Sequence, residues 1–266
     1  MFIEVDEHKY WVECEGKGEP LVILHGFTGS THTFRFLKHY LPDYQLIRID
    51  LPGHGRTKAT ISSMEKCIDD VSIVCKKIGL TKFHLLGYSM GGRTALSFAK
   101  KYPIFVQSLI LESATPGIEN DEERKKRIKA DEELATFILE NPIEAFVDYW
   151  EEIPLFFSQK HLPTPLKKAI REERLAQSRE GLALSLRTMG TGTMPSLWNH
   201  LSTILCPVCI LVGESDKKFI QIGEKMISFI QNNEFHVIKN SGHAIHVEQS
   251  EIFGTIVNEF LKQRRM

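Results

Sequence analysis

Residues 83–101 place Gly87-Tyr88-Ser89-Met90-Gly91 directly after an apolar run, Phe83-His84-Leu85-Leu86, and directly before a helical pattern. A strand that turns into a helix within two or three residues needs a sharp, strained turn, and small neighbours on either side of the residue at its tip. A buried strand feeding a helix is also half of a strand–helix–strand unit. The surrounding chain must therefore supply a mostly parallel sheet with helices on both faces.

The rest of the sequence meets that demand. Apolar runs that suit strands lie at Lys9–Cys14, read as an edge strand, and at Pro20–His25, Gln45–Asp50, Lys82–Leu86, Val106–Leu111, Pro207–Val212 and Phe235–Ile238. Helical spacing covers Met64–Leu80 (Ile68, Val71, Val74, Cys75, Ile78), Ser89–Lys101 and Glu248–Lys262. Between 116 and 198 no strand pattern occurs, and charged helical pieces are broken at Asn141-Pro142, Pro154, Pro163 and Pro165. The pattern predicts an α/β core at 1–115 and 199–266, with a helical cap at 116–198 over the strand C-termini, where open α/β sheets bind ligands.

Charge narrows the partners. The chain has 33 Lys+Arg against 34 Asp+Glu among 266 residues, a formal net charge of −1. A nucleic-acid or membrane-surface binder needs a broad cationic field, which this balance does not provide. The longest stretch free of charged residues, Thr188–Gly213, contains Pro195, Asn199, His200 and Pro207 and is a poor bilayer span. The first residues lack the basic-then-apolar build of a secretion signal, and five thinly spread cysteines suit a reducing compartment. A soluble cytoplasmic protein is expected. Cys206-Pro-Val-Cys209 fits C-x-x-C, but residues three apart on a strand face opposite sides, so neither metal nor redox chemistry is expected there. Nothing in the sequence selects an oligomeric state.

A serine on such a turn needs an acid and then a histidine further along the chain. Asp216, in Gly213-Glu-Ser-Asp216, follows the Pro207–Val212 strand, and His243, in Ser241-Gly-His243, follows the Phe235–Ile238 strand. Their competitors are Glu214 and Glu112 for the acid, and His246 for the base. An oxyanion hole needs one backbone N–H after the serine and one from an early loop, which points to Met90 and Phe27. His25 has the plainer role of shaping that loop. Asp50-Leu-Pro-Gly-His-Gly55 reads as a structural turn.

Taken in order, these motifs resemble the α/β-hydrolase superfamily over nearly the whole chain. Gly87-Tyr-Ser-Met-Gly-Gly-Arg93, Glu112-Ser-x-x-Pro-Gly117, the Glu-Glu-Arg run with Arg127, Asp148-Tyr-Trp150 and Gly213-Glu-x-Asp-x-Lys-Phe219 are similar to one family within it. That family is the 2-succinyl-6-hydroxy-2,4-cyclohexadiene-1-carboxylate synthases of menaquinone biosynthesis. The resemblance implies a lyase that expels pyruvate from 2-succinyl-5-enolpyruvyl-6-hydroxy-3-cyclohexene-1-carboxylate. It implies a small anionic substrate held by Tyr88, Arg93, Arg127, Trp150 and Arg174, with no metal or organic cofactor. Guanidinium groups suit such a ligand, because they pair with carboxylates in a fixed fork geometry. From the residues alone, Arg93 lies one helical turn after Ser89. Arg127 precedes Ala130, Leu134 and Ile138 on an inward stripe, with Arg124 as its competitor. Arg174 follows Ile170, with Arg171 as competitor, and Trp150 shares a stripe with Ile143 and Phe146. A solvated helix face is the lesser alternative for each arginine, and core packing is an even alternative for the tryptophan. The alternatives are a serine hydrolase acting on esters or carbon–carbon bonds, and a non-catalytic binding member of the same fold.

Overall fold

Short Val-, Ile- and Leu-rich runs become the strands of one sheet in the computed structural model, which describes residues 1–264. The strands are β1 (Phe2–Val5), β2 (His8–Glu15), β3 (Glu19–Leu24), β4 (Tyr44–Ile49), β5 (Phe83–Tyr88), β6 (Val106–Glu112), β7 (Val208–Gly213) and β8 (Asn233–Ile238). Their order is β1-β2-β4-β3-β5-β6-β7-β8. The β1–β2 and β2–β4 pairs are antiparallel, and every pair from β4–β3 onward is parallel. All six residues of β5 and of β7 are buried, as central strands covered on both faces require.

Nine α-helices accompany the sheet among the described residues: α1 (Met64–Lys77), α2 (Met90–Lys101), α3 (Asp121–Glu140), α4 (Ile143–Glu151), α5 (Thr164–Leu175), α6 (Arg179–Met189), α7 (Lys217–Ile227), α8 (Ile245–Glu248) and α9 (Ser250–Lys262). α1 turns Cys67, Ile68, Val71, Val74 and Cys75 onto one face of the sheet, joined there by Ala95, Leu96 and Phe98 of α2. The other face is covered by Phe253, Val257 and Phe260 of α9 with Phe34 and Leu37. Burying each large aliphatic or aromatic side chain contributes roughly 1.5–3 kcal/mol, so the two layers supply most of what holds the sheet.

Three local expectations need correction. Lys9–Cys14 is not at the edge, because β1 pairs outside β2. Four residues are too few to show a period of their own, and β1 is held by Val5 in the core and by Phe2 edge-on to Trp11 at 5.0 Å. The terminal helix is two pieces, α8 and α9, separated at Gln249, whose φ of −140° is not helical. The stripe of α3 runs through Asp131, Ala135 and Ile138, while Ala130 is exposed.

Helices α3 to α6 lie in the chain between β6 and β7. They share a small core of Ala135, Ile138, Phe146, Val147, Leu182, Ala183 and Leu186, against which Phe27 of the β3 loop packs. The loop after β4 meets α6 backbone to backbone at Gly53 and Gly181, where a Cβ on either residue would overlap the other's carbonyl group.

The last residue of β6 ties two parts of the fold together. Glu112 is fully buried, and its carboxylate accepts the backbone N–H of His246 and its Nδ1–H, each at 2.9 Å. Removing one partner of a buried pair leaves the other uncompensated. Glu112→Ala is therefore expected to lower unfolding free energy by about 3 kcal/mol, and Glu112→Gln by less. Urea titration measures both, and a change below about 0.5 kcal/mol for the alanine variant would deny the clamp its role.

Candidate active site

The sequence motifs meet at the C-terminal ends of β3, β5, β7 and β8. Ser89, between β5 and α2, has φ 49° and ψ −105°, a conformation that side chains rarely adopt. The turn closes only because Gly87 and Gly91 lack side chains. A Cβ at Gly87 would overlap the Gly91 backbone, and one at Gly91 would overlap the Leu24 carbonyl. The turn lifts the hydroxyl out of the sheet, and Ser89 Oγ donates to His243 Nε2 at 3.0 Å. His243 Nδ1 donates to Asp216 Oδ2 at 2.6 Å. Asp216 also caps α7, its Oδ1 accepting the Phe219 N–H at 3.3 Å, so the helix fixes the carboxylate that fixes the imidazole. The rejected competitors are occupied elsewhere. Glu112 and His246 pair with each other, and Glu214 accepts the Asn240 N–H.

The two amides expected to form an oxyanion hole both line the cavity beside Ser89. Met90 is the first residue of α2, where N–H groups have no partner within the helix. The Phe27 N–H meets no acceptor among the described residues. Its loop is built by two buried histidines. His25 Nδ1 donates to the Gly26 carbonyl at 2.7 Å, and its Nε2 accepts the Leu51 N–H at 2.9 Å. His54 packs edge-on to Phe27 at 5.6 Å, donates from Nδ1 to the Pro52 carbonyl, and leaves Nε2 buried with no partner. The Asp50 carboxylate closes the turn by accepting the Thr31 and Arg56 N–H groups.

A cavity of about 820 Å³ opens above Ser89, and Phe27, Tyr88, Met90, Arg93, Arg127, Trp150 and His243 all line it. Arg93 is buried. Its Nη2 donates to the Met189 carbonyl at the end of α6 at 2.8 Å, and its Nε has no partner. Burial first, and then Arg127 nearby, push its pKa down to about 10, which still leaves it charged at neutral pH. Arg127 is 40% exposed and donates from Nε to Asp131 at 2.8 Å. Trp150 stacks on Phe146 at 5.6 Å and meets Phe27 edge-on, so it serves core and cavity together. Tyr88 is buried 5.5 Å from the His243 ring, and burial raises its phenol pKa well above the usual value.

Arg174 is placed differently. It lines an adjoining cavity of about 470 Å³ that shares Phe27, Tyr88 and Phe156 with the first. It is 6% exposed, donates to Glu151 and Gln159, and lies over the Phe156 ring at 4.9 Å. Burial lowers its pKa, with Glu151 opposing the shift. The competitors Arg124 and Arg171 face elsewhere, toward the Gly192 carbonyl and toward Asp148 and Glu151. The sequence reading missed Asp131 and Phe156 in the triad cavity wall, and it named Lys218 and Phe219 only within the Gly213–Phe219 motif, without a site role. Asp131 had a local signal of its own, an acid four residues after Arg127 on one helix. Cys209 is buried in β7 beside Glu234 and His236, away from this site, and Glu234 already takes a hydrogen bond from Arg264 at 2.6 Å.

The chain matches the alpha/beta hydrolase fold family over residues 19–250. It is 45% identical over 262 residues, 96% of both chains, to a Bacillus subtilis (strain 168) protein provisionally named 2-succinyl-6-hydroxy-2,4-cyclohexadiene-1-carboxylate synthase. The chain belongs to that synthase family of α/β hydrolases. An Escherichia coli O1:K1 / APEC synthase of the same name is 31% identical over 231 residues, covering 86% of this chain and 88% of its own. MenH from S. aureus superposes with a TM-score of 0.91 at 38% identity, covering 97% of this chain and 99% of its own. No helix among the described residues is long and apolar enough to cross a membrane.

The buried histidine pair packed beside Phe27 gives the fold a pH dependence. Burial first, and then His25, hold the His54 pKa down to about 3, and burial lowers that of His25. The unfolded chain, with histidines near 6.5, binds more protons below that pH. Stability is therefore complete above about pH 6.5 and is lost as pH falls toward 3, by up to ~1.4 kcal/mol per pH unit for each such histidine. Urea midpoints at pH 7 and pH 5 should fall less steeply for His54→Gln than for the parent protein. Equal slopes would place the acid sensitivity elsewhere.

Proposed function

We propose that the chain eliminates pyruvate from 2-succinyl-5-enolpyruvyl-6-hydroxy-3-cyclohexene-1-carboxylate to give 2-succinyl-6-hydroxy-2,4-cyclohexadiene-1-carboxylate, using its triad as a general base. The observation that carries this reading is a connected Ser–His–Asp set in one cavity with two arginines. A hydrolase of neutral esters has no need of a buried guanidinium group, Arg93, and a second arginine in the cavity of its serine.

The steps follow from the geometry. Arg93 and Arg127 hold the anionic substrate, and Tyr88 and Trp150 wall its ring. In the adjoining cavity Arg174 sits behind Tyr88 and Phe156, positioned to act on a substrate group that reaches past them. Ser89 Oγ, its proton passing to His243 Nε2, removes the proton alpha to the succinyl carbonyl. Asp216 stabilises the imidazolium that forms. The C–H electron pair moves into the carbonyl as an enolate, whose oxygen the Phe27 and Met90 amides stabilise. Each such amide is worth about 3–4 kcal/mol when the site excludes water. Collapse of the enolate through the ring double bond breaks the ring C–O bond, and pyruvate leaves as its enolate, which then takes up a proton. No acyl-enzyme is required. In this reading residues 116–198 form a cap over a core of 1–115 and 199–266, and the protein works in the cytoplasm on a small anionic substrate.

The test is pyruvate release from the enolpyruvyl substrate, set against turnover of a neutral aryl ester. Pyruvate release is expected in the parent protein and is expected to fall by about 10³-fold or more in Ser89→Ala. Ester turnover without pyruvate would make the chain a hydrolase instead. Arg93→Ala is expected to lower kcat/KM for the anionic substrate at least tenfold more than for the ester. Equal losses would remove Arg93 from the binding role.

A further inference from the structure

The arginine end of the triad cavity contains a carboxylate that the steps above do not use. Asp131 is 5% exposed. Its Oδ1 accepts from Arg127 Nε at 2.8 Å, while its Oδ2 is buried with no partner among the described residues. Gly190 faces that oxygen, and a Cβ there would lie 2.6 Å from it. Both residues line the cavity that holds Ser89 and His243.

A buried carboxylate in a pocket for an anion opposes the ligand's charge, and a buried acceptor left unpaired is costly to keep. Holding Arg127 takes one oxygen only. The second is a buried acceptor with no partner among the described residues. The neighbouring donors are also under-used: Arg93 Nε is buried and unpaired, and Arg127 bonds only through Nε among the described residues. Donors beside one acceptor complement a carboxylate beside a hydroxyl. The ring in the relatives' printed name has that arrangement, a hydroxyl on C6 next to a carboxylate on C1.

We infer that Asp131 is a specificity residue whose Oδ2 accepts a hydrogen bond from the ring hydroxyl, while Arg93 and Arg127 hold the neighbouring carboxylate. The inference rests on the substrate proposed above and adds to it that the site selects a β-hydroxy acid over the plain acid. The hydroxyl meets an otherwise unpaired carboxyl oxygen in a buried place, where such a bond discriminates strongly against a ligand that lacks it.

The experiment is calorimetric titration of the intact protein with 2-hydroxycyclohexane-1-carboxylate, both diastereomers, and with cyclohexane-1-carboxylate. The parent protein should bind one hydroxy acid at least about tenfold more tightly than the plain acid. Asp131→Ala should reduce that preference to within about twofold, and Asp131→Asn, which keeps an acceptor oxygen, should retain part of it. Thermal melting of both variants checks that they fold. A parent protein that binds the acids equally, or binds neither, overturns the inference. So does an Asp131→Ala variant that weakens both acids alike, because that is what loss of Arg127 positioning alone would do. Pyruvate release without a hydroxy-acid preference would sink this inference and leave the lyase reading standing. A preference without pyruvate release would do the reverse.

Discussion

Ser89 is held in a backbone conformation that costs about 1–3 kcal/mol, and Glu112 does much of the holding. The Ser89 N–H donates to the Glu112 carbonyl at 2.8 Å, which fixes the height of the serine above the sheet. The carboxylate of the same residue clamps His246, three positions after His243. One residue at the end of β6 thus joins the turn that carries Ser89 to the loop that carries His243. The 3.0 Å spacing between Ser89 and His243 depends on that link as well as on Asp216.

Charge in this molecule is arranged locally and not in bulk. Segment 116–198 has 12 Lys+Arg and 15 Asp+Glu, yet it supplies Arg127 and Arg174. Surface ion pairs such as Arg187 with Glu132 and Lys101 with Glu65 absorb charge outside the cavity lining. Such exposed pairs contribute little to stability. The buried cations differ. Arg93 keeps one donor on a carbonyl and one free, so part of its desolvation is still to be compensated by a ligand. A near-neutral chain can therefore set unpaired guanidinium donors in the wall of a cavity whose acids and bases are equal in number.

What was legible in the sequence was what depends on short-range pattern. The turn at Ser89, the strand ends before Asp216 and His243, and the loop carrying Phe27 are each written within six or seven residues, and the structure brings them together. The choice between Asp216 and Glu214 stays open there, and the structure separates them: Asp216 caps α7 and meets His243, while Glu214 anchors the loop at Asn240. Less was legible where position depends on packing between distant segments. Arg174 lies on the buried face of α5 as its spacing to Ile170 implies, but no local pattern says that Tyr88 and Phe156 stand between it and the serine. β1 was too short to announce itself, and it displaced β2 from the edge. Asp131 escaped because a charged residue on a charged helix reads as solvated, and only the depth of the cavity shows otherwise.

The backbone contact between Gly53 and Gly181 sets a dimension of the pocket from outside it. α6 rests on the loop after β4 with two Cα atoms and no side chain between them, and it cannot come closer. The same helix ends at Met189, whose carbonyl holds Arg93, and at Gly190, which faces Asp131. Two missing methyl groups thus set how closely α6 approaches the loop after β4. A side chain at either glycine would force the two backbones apart. The seat of a helix that lines the cavity depends in that way on two residues outside the lining.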